Sequence, residues 1–242
     1  EVDLSRPYVE GNVWGIAIQK IHINRSNATN IASILDSPTH MEREWQQSLI
    51  TTNFQMLRAA AMVYVNDKLL LAGSTYDFGE QFAGEDRIHQ DFQDYDGFLV
   101  KLDPETGAIS DSPKLRIQSK YETDDIIHGI CLHPADNDGH VKFVYVVGYN
   151  ATHNLDYDAL PPKDYKTVAP QAFQEEGGAF VMQVDLDSMT VVWEDKIVGS
   201  TIEAIDCAVT DDGENLYVVG HVGDDQALPD KESKGGDDVW IR

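Results

Sequence analysis

The sequence predicts an all-β fold, a β-propeller of four-stranded antiparallel blades, and three observations carry that expectation. Three apolar runs end in glycine: LLLAG (Leu69–Gly73), VYVVG (Val144–Gly148) and LYVVG (Leu216–Gly220). Each run resumes, after a polar insert, as a second strand: DGFLVKLD (Asp96–Asp103), GAFVMQVD (Gly178–Asp185) and DDVWIR (Asp237–Arg242). Each is also preceded by another apolar run and a turn signal, at Asn66-Asp67, Asn137-Asp138-Gly139 and Asp211-Asp212-Gly213. A fixed order of short strands marks a repeat architecture, and four antiparallel strands per unit describe a propeller blade. A β-sandwich, the rival all-β arrangement, does not predict this recurring order.

The N-terminal region reads as the tail of a preceding blade. NVWGIAIQKI (Asn12–Ile21) corresponds to a third strand and EREWQQSLI (Glu42–Ile50) to a fourth. The first complete blade contains RAAAMVYV (Arg58–Val65), LLLAGST (Leu69–Thr75), DGFLVKLD and KLRIQS (Lys114–Ser119). The second contains IIHGICL (Ile126–Leu132), VKFVYVVGY (Val141–Tyr149), GAFVMQVD and TVVWEDKI (Thr190–Ile197). The last begins with IEAIDCAV (Ile202–Val209) and LYVVGHV (Leu216–Val222), then DDVWIR. The expected division is 1–57, 58–119, 120–200 and 201–242, all within one propeller domain. Two whole blades and two partial ones do not close a ring, which ordinarily takes about four to eight. The segment is therefore expected to belong to a longer polypeptide or to be completed by another chain.

Both faces of an inner blade pack on neighbours, which explains near-continuous apolar runs such as FVYVV. Gly73, Gly148 and Gly220 are expected to permit close backbone approach or a strand-end twist, with no ligand required. Trp45 and Trp193 occupy matching fourth strands and are expected to wedge between blades. Cys131 and Cys207 stand in the first strands of successive blades, one position out of register. Adjacent strand positions point to opposite faces, so two buried free thiols are expected rather than a bridge.

From residue 58 onward, DGFLVKLDPETG and DDGENLYVVGHV resemble the tandem β-propeller repeats of bacterial and algal surface proteins, often called SBBP repeats. Cys207-Ala208-Val209, Asp212-Gly213-Glu214-Asn215 and Leu216–Gly220 carry the closest likeness. The resemblance implies a propeller fold and no catalytic motif. Asp185 and Trp193, eight residues apart, are also similar to the blade-docking pattern A-x-D-x-x-T-G-x-x-x-W of quinoprotein propellers. Asp103-Pro104-Glu105-Thr106-Gly107 resembles its first half, but Asp111 occupies the tryptophan position. Non-enzymatic propellers share that pattern, so it does not imply the quinone.

The 242-residue chain carries 42 acids and 18 bases, a net charge of −24. That field repels phosphate backbones, which excludes nucleic acid as a favoured partner. No apolar run is long enough to span a bilayer. Sequons at Asn24, Asn27 and Asn150, together with the acidity, predict a glycosylated chain at an extracellular or cell-surface address.

The long inserts, Tyr76–Tyr95, Asn150–Gly177 and Gly223–Gly236, all fall between second and third strands and so on one face of a propeller. The first two mix acids with aromatics, and Tyr76, Phe78, Phe82, Tyr95, Tyr157 and Tyr165 are the expected anchors of a protein or glycan contact. Asp91, Asp94 and Asp96 are the calcium candidates, and Asp224, Asp225, Asp237 and Asp238 form a second acidic set. Neither set has the spaced calcium loop, so turn formation and solvation are the expected roles and no cofactor is assigned. The eight histidines show no metal spacing, and nucleophile-elbow and P-loop motifs are missing. The expectation is a non-enzymatic structural or adhesive module. The alternative is a propeller enzyme, quinoprotein-like or carbohydrate-active, with its catalytic residues outside this segment.

Overall fold

The computed structural model describes residues 16–23, 41–49, 57–76, 95–110, 114–117, 124–150, 165–167, 177–199, 202–223 and 238–241. Among these residues the secondary structure is strand without helix. The first sheet pairs β1 (Ile16–Ile23) with β2 (Met41–Leu49). The second runs β3 (Leu57–Val65), β4 (Lys68–Tyr76), β5 (Tyr95–Leu102), β6 (Lys114–Ile117) and β9 (Tyr165–Thr167). The third runs β7 (Asp125–Leu132), β8 (Phe143–Asn150), β10 (Gly178–Asp185) and β11 (Thr190–Val198). The fourth runs β12 (Ile202–Val209), β13 (Leu216–Val222) and β14 (Asp238–Ile241). Within each sheet the strands lie in chain order and pair antiparallel, apart from β9.

The hairpins follow from their turn residues. Asn66 and Asp67 both take positive φ, 47° and 57°, the two-residue turn whose twist matches the flanking strands. Between third and fourth strands, Asp103 accepts from the backbone N–H groups of Glu105 and Thr106 at 2.8 and 2.9 Å, and Gly107 has φ 72°. The next sheet repeats the device with Asp185, which accepts from Ser188 N–H at 2.9 Å, while Met189 takes φ 50°. Met189 lacks glycine's freedom there, but its side chain is fully buried in the core.

Three apolar clusters lie between successive sheets. Leu71, Phe98 and Val100 face Ile16 and Ile18 across the first junction. Leu70, Ala72 and Leu99 face Val144, Val146 and Phe180 across the second. Val147 and Ala179 face Ile202, Ala204 and Val218 across the third. Consecutive residues of one strand thus serve opposite junctions, which is why the runs are apolar throughout instead of alternating.

A bulge recurs in each first strand, leaving Ala60, His128 and Ile205 without a partner. Next to it, Gly73, Gly148 and Gly220 face Phe98, Phe180 and Trp240 across the ladder. A Cβ on Gly148 would lie 2.1 Å from Ile126 O and 2.7 Å from the Phe180 ring, and Gly73 is equally tight against Arg58 O and Phe98. Gly73 and Gly148 answer to backbone approach and an overlying ring.

The structure corrects the expectation of free thiols: Cys131 and Cys207 form a disulfide, with Cα atoms 5.8 Å apart. The two residues do point to opposite faces of equivalent strands. In sheets stacked face to face, however, opposite faces are the ones that meet. Trp193 is a second correction, since it is 46% exposed and does not wedge between sheets. Trp45 does bridge them, donating its indole N–H to Pro104 O at 2.9 Å. A short strand was also missed. β9, from the insert that follows β8, pairs in parallel with β6 of the preceding sheet and covers its edge.

Candidate functional site

The polar interior gathers at the end of the sheets from which the long inserts leave. Every fully buried polar side chain among the described residues is there: Ser74 and Thr75 ending β4, Asp96 opening β5, Asp125 opening β7 and Asn150 ending β8. The opposite end carries the tight turns, whose short loops leave little room for a site. Second and third strands must separate to admit an insert, and polar groups satisfy the backbone where the ladders open.

These side chains bond to one another and across the junctions. Ser74 Oγ accepts from Ile127 N–H at 3.0 Å, and Asp124 Oδ1 accepts from Tyr95 N–H at 3.1 Å. Both bonds join the second sheet to the third. Arg116 donates to Asp96 Oδ2 through Nε, at 2.9 Å, and through Nη2. Asn150 Nδ2 donates to Asp125 Oδ1. Between third and fourth sheets, Glu203 Oε2 sits 3.1 Å from His128 Nε2 and 3.8 Å from His221 Nε2. His221 is the cross-strand partner of Glu203, and His128 is the bulged residue of β7. Burial pushes the His128 pKa below its ordinary value, against the opposing pull of Glu203. Burial also raises Tyr149, aided by Glu203 and Asp124.

The expected anchors divide into three groups. Tyr76 and Tyr95 are cross-strand partners at the mouth of the first insert, and the Arg58 guanidinium lies 6.0 Å over the Tyr95 ring. Tyr165 stands in β9, opposite Lys114. Phe78, Phe82 and Tyr157 lie outside the described residues, as do Asn24, Asn27, Asp91 and Asp94. Asp96 is 1% exposed, and its Oδ2 accepts from Arg116. Among the described residues no group of three or more His, Cys, Asp or Glu is placed to hold a metal ion. No helix among them is long and apolar enough to cross a membrane.

Asn150 closes β8 in the interior. It is 1% exposed, and the nitrogen that a sugar would occupy donates to Asp125. Its sequon marks the end of a buried strand. The His128–Glu203–His221 cluster was missed, because 75 residues separate the first two and only the stacking of sheets brings them together. The bulge had no sequence signal either, beyond the glycine that faces it.

No protein-family model and no curated protein matches this chain.

Proposed function

We propose that this chain is a structural, non-enzymatic segment of an extracellular β-propeller that binds protein or glycan partners through its insert-bearing end. The observation that carries the reading is how the polar groups at that end are engaged. Ser74, Asp96, Asp124, Asp125, Asn150, His128 and Glu203 each make at least one contact within or between sheets, while Asn150 Oδ1 is a buried acceptor without a hydrogen-bond partner. A general acid, base or nucleophile must instead present an unengaged face to a substrate. The propeller part is supported by the contacts of β3 with β7 and of β7 with β12, first strand on first strand, as around a propeller axis. The Cys131–Cys207 bridge suits an oxidising compartment, which supports secretion. Kinship with SBBP-type repeats belongs to the same proposal and rests on strand order and turn sequence.

In this reading Asn24 and Asn27 carry glycans and Asn150 does not. Glycopeptide mass spectrometry of protein secreted from eukaryotic cells checks the contrast, and bare Asn24 and Asn27 would remove that support for secretion. The binding role is tested on glycan and matrix-protein arrays, with the doubly substituted Tyr76→Ala/Tyr95→Ala chain as comparison. Binding that disappears in this variant, with melting nearly unchanged, is the expected result. Turnover of alcohols or sugars in the presence of added quinone would instead make the chain part of an enzyme.

A further inference from the structure

Trp193 stands over an apolar pocket of about 150 Å³, lined among others by Ala179, Val181, Leu216 and Val218. The first junction shows what fills such a pocket. Trp45 pairs with Lys20 beside a bulge, and Trp193 pairs with Gln183 beside the same bulge. Counting along the ladders from these rungs places Ile16 with Ala179 and Ile18 with Val181. Counting back from Gly73 and Gly220 places Leu69 with Leu216 and Leu71 with Val218. Ala179, Val181, Leu216 and Val218 thus stand around Trp193 where Ile16, Ile18, Leu69 and Leu71 stand around Trp45. That cluster additionally contains Leu102, fully buried, and Ile109, and Trp45 bonds Pro104 O in the turn between them. All three belong to the stretch that ends the third strand and turns toward the fourth.

We infer that the pocket beneath Trp193 is the docking site for a strand–turn segment of the same type as Leu102–Ile109, pairing along β13 beside Leu216. An apolar residue in the place of Leu102 pairs opposite Leu216, and a turn carbonyl receives the Trp193 indole N–H. An apolar residue in the place of Ile109 closes the floor. Val239 and Ile241 are 76% and 73% exposed on the other face of the same sheet, so the inner pocket is not the fourth sheet's only uncovered apolar surface. The inference rests on the repeat register alone. Loss of the proposed glycan or protein binding would leave it standing.

The chain's own sequence provides the probe. Gly220 corresponds to Gly73, and Trp240 faces it as Phe98 faces Gly73, so Arg242 falls in the place of Val100. Joining a copy of residues 101–117 after Arg242 supplies such a strand end, its turn and a fourth strand. Acrylamide quenching of Trp193 is isolated by difference against Trp193→Phe. The extended chain is expected to lose roughly half or more of that quenching and to melt about 2–4 °C higher. The same extension with aspartate at the positions copied from Leu102 and Ile109 should show neither effect. Unchanged quenching, or equal protection by the aspartate-bearing copy, overturns the inference. So does self-association of the unextended chain that protects Trp193, because a second copy would then be the occupant. Should the extended chain not fold, the 101–117 peptide added in trans to the 242-residue chain reads the same contact, and quenching unaffected by saturating peptide overturns it.

Discussion

The second and third junctions use equivalent strands yet are held by different chemistry. At the second, between the sheet of β3–β6 and that of β7, β8, β10 and β11, side chains bond to backbone. Asn66 donates to Val141 O at 2.6 Å and accepts from Val141 N–H at 3.0 Å, and Lys101 Nζ donates to Leu186 O at 2.7 Å. At the third, between those strands and β12–β14, the tie is covalent and titratable: the Cys131–Cys207 disulfide and the His128–Glu203 contact. The second junction also has the larger buried apolar cluster. A cross-link where fewer apolar side chains meet suggests that the repeat secures its junctions by whatever means each pair of strands allows.

Reduction of the disulfide should separate the two junctions most. It closes a loop with a sequence separation of 76, for which chain entropy gives about 4 kcal/mol. Cys131→Ser/Cys207→Ser should lower the denaturation midpoint by a matching amount, and the native protein should respond to dithiothreitol in the same way. A midpoint indifferent to reductant would mean the bridge contributes nothing at this junction.

Asn66→Ala attacks the second junction. Alanine at φ 47° is strained, and the N–H and C=O of Val141 lose their partner, so about 2–3 kcal/mol should be lost. Asn66→Gly keeps the turn and removes only the bonds, which should cost roughly half as much. Equal losses in urea melts of the two variants would show that the turn conformation is irrelevant.

Gly73→Ala and Gly148→Ala sharpen the comparison by probing what the sheets share. Each Cβ meets a carbonyl oxygen at 2.1 Å and a phenylalanine ring at 2.7–2.8 Å, so both should cost about 1–3 kcal/mol and by similar amounts. A large difference between their melting temperatures would make the bulges inequivalent.

The smallest effect is expected from pH. His128 has its pKa lowered by burial from the ordinary 6.5, so the unfolded chain binds its proton first as pH falls. Stability at the third junction should be constant above that value and decline as pH drops below it. His128→Gln should flatten the slope between pH values of about 7 and 5, where carboxylates still contribute little. A slope identical in the variant would assign the acid sensitivity elsewhere, for instance to Asp103 and Asp185. Backbone N–H donors hold those two carboxylates below the usual range, so their contribution is lost only at lower pH.

The order of strands, their hairpin partners and the turns at Asn66-Asp67 and Asp103–Gly107 were legible because they depend on local chemistry. Apolar runs, turn residues and a recurring glycine act over a few residues, and the register they imply agrees with the ladders observed. The placement of the inserts at one end was legible for the same reason. Tyr76 and Tyr95 meet because each is the last rung of a strand that the pattern already defined.

Which side chain meets which across a junction was decided only by the stacking of sheets. Cys131 and Cys207 illustrate the reason: alternation tells which face a residue points to, and stacking tells that opposite faces are partners. Asn150 reads as an exposed sequon in one dimension and is a buried strand end in three. β9 has too few residues to signal itself and exists because β6 offers an open edge beside it. Trp45 and Trp193 occupy equivalent rungs, yet only Trp45 has a Pro104 carbonyl to bond. Sequence determines what each strand offers its two faces; the tertiary arrangement determines whether a neighbour is there to take it.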